Sequence, residues 1–305
     1  PSRDQARALQ GGAHIVVGTP GRIGKHLRAE ALDVEGLRVL VLDEADRMLD
    51  MGFIEEVGSI VECCPQGRQT LLFSATFPVE ISYLSDRIQR NPHLVKVESL
   101  VAVEQLEERV YTCTAARRNQ LIVDLLAEVE PTTALVFCET RGDCKKLAGF
   151  LNGRGAVALA LHGEMEQRYR DDVLLQFSNG SASVLVATNL AARGLDIPAL
   201  PLVIIAEVSP DPENHLHRVG RTGRAGESGL ALTIVAGGKE AERLERIEEK
   251  MGRSIPHGET PAGGKGLRFL QPPNRTLLIL SGRKDKIRKG DVLGCLVKDA
   301  GIPSE

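Results

Sequence analysis

"VLVLDEADRMLDMGF" occupies Val39–Phe53 and sets the first constraint on the fold. Four aliphatic residues run straight into Asp43, Glu44 and Asp46. A run that is apolar at every position belongs to a strand covered on both faces, and the charge at its end must be solvated, paired or bound to a cation. The pattern recurs in "HIVVGTP", "TLLFSAT", "ALVFCET", "VALALHG", "SVLVATN", "LVIIAEV" and "LALTIV", with amphipathic helical stretches between them. Such alternation predicts an α/β chain built on parallel sheets. Ligands of parallel sheets bind beyond the carboxyl ends of the strands. Polar residues gather at those ends here: Asp43 and Glu44, Ser74 and Thr76, Thr140, and Thr188.

The 305 residues suit about two domains, and 42% apolar content is enough for real cores. Lys and Arg total 38 against 41 Asp and Glu, so any nucleic-acid surface must be local. The six cysteines form no C-x-x-C pair and mostly sit in apolar runs. That favours buried thiols in a reducing compartment over zinc or disulfides. Without a signal pattern or a membrane-length apolar run, the expectation is a cytoplasmic protein with no membrane partner. A boundary is expected near Ser99–Glu108, giving segments 1–98 and 99–252. Residues 253–273, rich in Pro and Gly, read as a linker to a third segment, 274–305. The chain starts at Pro1 rather than Met and reads as a fragment.

A carboxylate ending a buried strand can hold Mg²⁺ through water beside nucleotide phosphates, and a neighbouring Glu can deprotonate an attacking water. Asp43 and Glu44 fit that division, and equally an acidic helix N-terminus. "HRVGRTGR" (His217–Arg224) narrows the choice. Its three arginines lack an acidic neighbour in sequence, and planar guanidinium groups match phosphate. The glycines Gly220 and Gly223 permit close backbone approach. In "ATNLAARGLDIP" (Ala187–Pro198), Thr188 and Arg193 suit a phosphate and Asp196 a ribose hydroxyl, but an ordinary strand-to-helix turn reads the same way. "SAT" (Ser74–Thr76), "TPGR" (Thr19–Arg22) and Gly11–Gly12 are by themselves caps and turns. His14 and His162 flank apolar runs and read as packed residues. Aromatic content of 3%, with no Trp, argues against recognition by base stacking.

Taken in order, "TPGR", "DEAD" with "RMLDMGF", "SAT", "VFCET", "QRYR" (Gln167–Arg170), "ATNLAARGLDI" and "HRVGRTGR" resemble the motifs of the DEAD-box ATP-dependent RNA helicases over about Gly11–Gly252. "SGRKDKIRKGDVLGCLVKDAGI" is similar to the start of the C-terminal RNA-binding domain of the bacterial DbpA group. The resemblance implies two RecA-like lobes, the first incomplete, with ATP between them and RNA across both, plus the start of an RRM-like α+β domain. It implies Mg²⁺ on Asp43 through water, Glu44 activating the hydrolytic water, and Asp196 on the ribose. Arg221 and Arg224 would be arginine fingers. Asp46, Ser74, Thr76 and His217 would couple nucleotide closure to RNA strand separation. Gly12, Thr19, Arg22, Thr140, Gln167, Arg170 and Thr188 would line the RNA backbone, joined by Arg283, Lys284 and Lys286 of the C-terminal piece. On sequence alone that basic piece suits a solvated loop equally well. The subgroup implies a hairpin of ribosomal RNA and its adjacent duplex as partner, a role in large-subunit assembly, and a monomer.

Asn189 stands where the family commonly has Asp, and Ile205 where it commonly has Asn; neither position carries the implied chemistry. A G-x-x-x-x-G-K-[ST] phosphate loop is missing, since "GTPGRIGKH" has Thr19 in place of the first required glycine and His26 after Lys25. The family's adenine-reading Q motif is missing too, and both are expected upstream of Pro1. Alternatives are a non-catalytic RNA clamp, a DEAD-box helicase of another RNA pathway, and a DNA helicase of the same superfamily. The 305-residue chain is therefore expected to show no RNA-stimulated ATP hydrolysis; phosphate release from the purified chain would overturn that reading.

Overall fold

The computed structural model describes residues 2–74, 76–96, 106–192, 200–223, 228–264, 266–268, 270–279 and 285–301. The chain divides into two compact units, Pro1–Val97 and Glu98–Glu305.

The first unit runs α1 (Ser2–Gln10), α2 (Pro20–Arg28), β1 (Val39–Leu42), α3 (Ala45–Asp50), α4 (Ile54–Cys63), β2 (Gln69–Leu72) and α5 (Val79–Ile88). β1 and β2 pair in parallel from Val39 opposite Gln69 to Leu42 opposite Leu72. The ladder continues past both strands: Phe73 N–H donates to Leu42 C=O at 2.8 Å, and Ala45 N–H to Phe73 C=O at 3.0 Å. Leu42, Ala45, Val57, Ile81, Leu84 and Ile88 form the core. "HIVVGTP" forms no strand, contrary to its composition. A strand needs a neighbour to complete its ladder, and β1 and β2 are paired with each other alone among the described residues. Ile15 and Val17 are consequently 83% and 92% exposed. His14, expected to be packed, is exposed as well.

The second unit runs β3 (Leu106–Thr112), α6 (Arg118–Val129), β4 (Ala134–Cys138), α7 (Arg141–Gly153), β5 (Ala158–Leu161), α8 (Gln167–Ser178), β6 (Val184–Thr188), α9 (Asn189–Ala192), β7 (Leu202–Ile205), α10 (Pro212–Val219), β8 (Gly229–Val235) and α11 (Gly238–Met251). Its six strands are all parallel, in the order β3-β8-β7-β4-β6-β5. Alternate residues face two cores. Ala134, Val136, Val184, Val186, Leu202 and Ile204 pack with α6 and α7. Leu135, Phe137, Leu185, Val203 and Ile205 pack with Phe177 and Val219 on the other face. Coverage on both faces is why these strands are uninterruptedly apolar. At the β5 edge, the Asn152 side chain accepts from Ala158 N–H at 2.8 Å and donates to Ala158 C=O at 2.9 Å. That imitates one strand pairing and blunts the edge.

Residues 255–264, 266–268 and 270–276 form a strap along this unit. Val110 exchanges bonds with Pro256 C=O and Gly258 N–H, each 2.8 Å. Gly258 passes so close to Tyr111 that a Cβ would lie 2.3 Å from its ring. Leu267 and Leu270 are buried in the α6–α7 core at 0% and 3% exposure, each contributing about 1.5–3 kcal/mol of burial. Ser183 Oγ donates to Leu270 C=O at 2.8 Å, Asn274 N–H to Gly180 C=O at 3.1 Å, and the Ser181 and Thr276 hydroxyls meet at 2.8 Å. Beyond it, residues 277–279 hold no strand, and α12 (Lys289–Gly294) continues into a wider turn at Cys295–Asp299. Among the described residues no helix is long and apolar enough to cross a membrane. Cys64, Cys138 and Cys144 are buried, but Cys63 and Cys295 are exposed. Burial raises the Cys144 thiol to about 11.

Glu108 of β3 is 6% exposed, bonded by Arg253 and 3.6 Å from His215 Nε2. Burial raises its carboxyl pKa, but the hydrogen bonds and charges of His215 and Arg253 outweigh that and hold it below the usual range. A depressed carboxyl stabilises above its unfolded pKa of about 4.3, and that stability is lost as pH falls through the folded value. Thermal unfolding followed from neutral to acid pH should show Glu108→Gln with a shallower loss below about pH 4 than the unsubstituted chain.

Candidate nucleotide and RNA site residues

In the first unit the acidic run ends β1 by a sharp reversal. Glu44 caps α3 with φ 53° and ψ 51°, a left-handed conformation for a residue with a side chain, costing about 1–2 kcal/mol. Its N–H donates to Asp43 Oδ1 at 2.9 Å, and its carboxylate pairs with Arg47 at 2.7 Å. Asp43 and Glu44 are exposed, whereas Asp46 is 5% exposed. Asp46 joins the two strand ends. Its N–H donates to Ser74 Oγ at 3.1 Å, and its Oδ2 accepts from Thr76 N–H at 2.9 Å and Thr76 Oγ1 at 3.1 Å. The predicted residues Asp43, Glu44, Asp46, Ser74 and Thr76 thus lie together. No group of three or more metal-ligating side chains occurs among the described residues. Mg²⁺ that keeps its waters needs only one or two carboxylates plus substrate phosphates, and the exposed Asp43 fits that requirement.

Gly12, with φ 83°, follows α1, and its N–H closes the helix onto Leu9 C=O at 3.0 Å. Thr19 caps α2 through its C=O, accepting from Arg22 N–H at 2.9 Å. Arg22 Nε donates to Gln5 at 2.8 Å, which ties α2 to α1.

In the second unit, Cys138 lies opposite Thr188 on the adjacent ends of β4 and β6. Thr140, two residues past Cys138, caps α7 by accepting from Asp143 N–H at 3.1 Å. Arg170 of α8 reaches Ala191 C=O at 3.5 Å, just beyond Thr188, and Gln167 bonds Asp171 at 2.7 Å. Arg221 C=O accepts from Leu200 N–H at 3.2 Å, and His217 lies on α10. His162, buried at the end of β5, has its pKa lowered by desolvation and by Lys145 and Arg141, and is packed as expected. Lys286 is exposed. Arg193, Asp196, Arg224, Arg283 and Lys284 lie outside the described residues.

One arginine of "HRVGRTGR" does have an acidic partner, contrary to the sequence reading. Arg218 is 1% exposed, its Nη2 bonds the Glu139 carboxylate, and its Nε donates to Asn189 Oδ1 at 2.9 Å. The partners lie 79 and 29 residues away, so sequence neighbours could not reveal them. A signal existed in Glu139 and Glu207, carboxylates ending apolar runs as Asp43 does.

The family model described as DEAD/DEAH box helicase matches residues 1–83, and that described as helicase conserved C-terminal domain matches residues 117–226. The chain is 44% identical over 298 residues to the ATP-dependent RNA helicase DbpA of Escherichia coli (strain K12), covering 98% of the chain and 65% of that protein. It is 40% identical to the DEAD-box ATP-dependent RNA helicase CshA of Geobacillus kaustophilus (strain HTA426), covering 84% of the chain and 55% of that protein. The chain thus spans less than two thirds of either relative. A crystal structure of a DEAD box protein from the hyperthermophile Methanococcus jannaschii is 36% identical, with a TM-score of 0.52, covering 85% of this chain and 70% of that one. S. cerevisiae Dbp5 bound to RNA and ADP BeF3 is 28% identical, with a TM-score of 0.72, covering 81% and 66%.

Replacing Asp46 strands the Thr76 donors. Asp46→Ala should cost about 2–4 kcal/mol and Thr76→Val about 1 kcal/mol in urea unfolding of the first unit.

Proposed function

The chain belongs to the DEAD-box helicase family, and from that premise we propose that it is the greater part of an ATP-dependent RNA helicase. The observation that carries the reading is the Asp46 junction. It fixes the ends of β1 and β2 together, directly beside Asp43 and the left-handed Glu44. A junction of this kind holds the two carboxylates in register with the residues that respond to nucleotide. Phosphoanhydride hydrolysis depends chiefly on such positioning and on charge neutralisation.

In this reading Glu44 accepts a proton from the attacking water. Asp43 would hold Mg²⁺, which would supply charge neutralisation at the phosphates. Arg221 and Arg224 are assigned to the transferring phosphoryl group, Asp196 to the ribose, and His217, Ser74 and Thr76 to coupling. Thr140, Thr188, Gln167 and Arg170, with Gly12, Thr19 and Arg22 of the first unit, bind RNA phosphate and 2′-hydroxyl groups, which carry little sequence information. We further assign a ribosomal RNA hairpin and its adjacent duplex as the target, engaged partly through Arg283, Lys284 and Lys286. We assign it likewise as a monomeric cytoplasmic protein acting in large-subunit assembly. The likeness to the ATP-dependent RNA helicase DbpA over nearly the whole chain supports the helicase reading.

Glu44→Gln in the full-length protein should lower RNA-stimulated ATP turnover by at least about 10²-fold while leaving RNA affinity within about twofold. Unchanged turnover would remove Glu44 from the chemistry. A wild-type protein that binds RNA without hydrolysing ATP would favour the RNA clamp.

A further inference from the structure

We propose that Arg218 is a positioning residue that couples RNA bound at Thr140 and Thr188 to the nucleotide-facing Arg221, an inference that rests on the helicase reading above. Its guanidinium is 1% exposed and is held by groups that follow three adjacent strands. Nε donates to Asn189 Oδ1 after β6 at 2.9 Å, Nη1 donates to Glu207 C=O after β7 at 3.0 Å, and Nη2 bonds Glu139 after β4. The Phe137 ring lies 5.5 Å beneath it.

The anchors are placed where coupling requires them. Glu139 immediately precedes Thr140, Asn189 immediately follows Thr188, and Arg218 lies between His217 and Arg221. Arg221 N–H is itself bonded to Arg218 C=O at 3.1 Å. Glu207 extends the connection by accepting from Glu139 N–H at 2.7 Å and pairing with Arg118 at 2.9 Å. Arg118 also pairs with Glu240 at 2.7 Å.

A guanidinium is a rigid planar fork, so its donors cannot follow three acceptors independently. If RNA draws Thr140 or Thr188 aside, Glu139 or Asn189 moves too, and a buried donor is left unpaired unless Arg218 follows. Arg218 moves with α10 and therefore with the backbone that leads to Arg221. Lysine cannot reproduce the fork, since its ammonium is a point charge on a flexible stem. Asn189 supplies only a neutral acceptor, and Asp at that position would keep the acceptor.

The test measures a ratio rather than an activity. Anisotropy of a fluorescein-labelled single-stranded RNA is titrated with full-length protein, with and without a non-hydrolysable ATP analogue and Mg²⁺. The wild type should bind RNA about 10-fold tighter with the analogue, within the usual range of coupling. Arg218→Lys and Glu139→Ala, which respectively remove the fork and one of its acceptors, should bring that ratio to within about twofold of one with analogue-free RNA affinity unchanged, and Asn189→Asp should keep it. Glu139, with a side chain 30% exposed, leaves a position that water can reach when it is replaced, and gives the second variant should Arg218→Lys fail to fold. A folded Glu139→Ala protein with the wild-type ratio overturns the role of Arg218. A wild-type protein with a ratio of one overturns the helicase reading and this inference with it.

Discussion

Parallel pairing obliges every strand of a sheet to end at the same edge. In the second unit that places the ends of six strands side by side. Thr140, Thr188 and Glu207 are neighbours for this reason, although they are far apart in sequence. The first unit repeats the arrangement with β1 and β2, where Asp46 is joined to Ser74 and Thr76. The sheet supplies proximity, and buried side-chain hydrogen bonds fix the final positions.

The two units use charge differently at those ends. In the first, Asp43 and Glu44 are exposed, and the buried Asp46 is satisfied by hydroxyl and backbone donors. In the second, guanidinium ions are taken inside: Arg218 with Glu139, and Arg118 with Glu207 and Glu240. Buried ion pairs contribute modestly to net stability but strongly penalise a missing partner. They define a geometry better than they stabilise a fold.

Strand positions in the second unit were legible because a sheet covered on both faces writes an unbroken apolar run, whereas the equally apolar β1 leaves Val39 and Val41 about half exposed. The run at Ile15–Val17 shows the limit of that signal, since composition cannot say whether a neighbouring strand is there to pair with. Site residues adjacent to strand ends were legible for the same reason as the strands. The Arg218 fork was not, because its acceptors come from three separate strand ends, and Asn189 looked like a substitution of no consequence. The packing around Leu267 and Leu270 was equally hidden: they lie in the short run "LRFL" flanked by Gly and Pro, too short to show a period that would announce burial.

That strap bears on how the protein is made. The match to the C-terminal helicase model stops at residue 226, yet the α6–α7 core is closed by Leu267 and Leu270. A ribosome adds about 5–20 residues per second. The sheet of the second unit therefore waits several seconds, with part of its apolar face uncovered, for residues well past its last strand. During that interval the core lacks Leu267 and Leu270, and the surface they cover in the finished unit faces solvent.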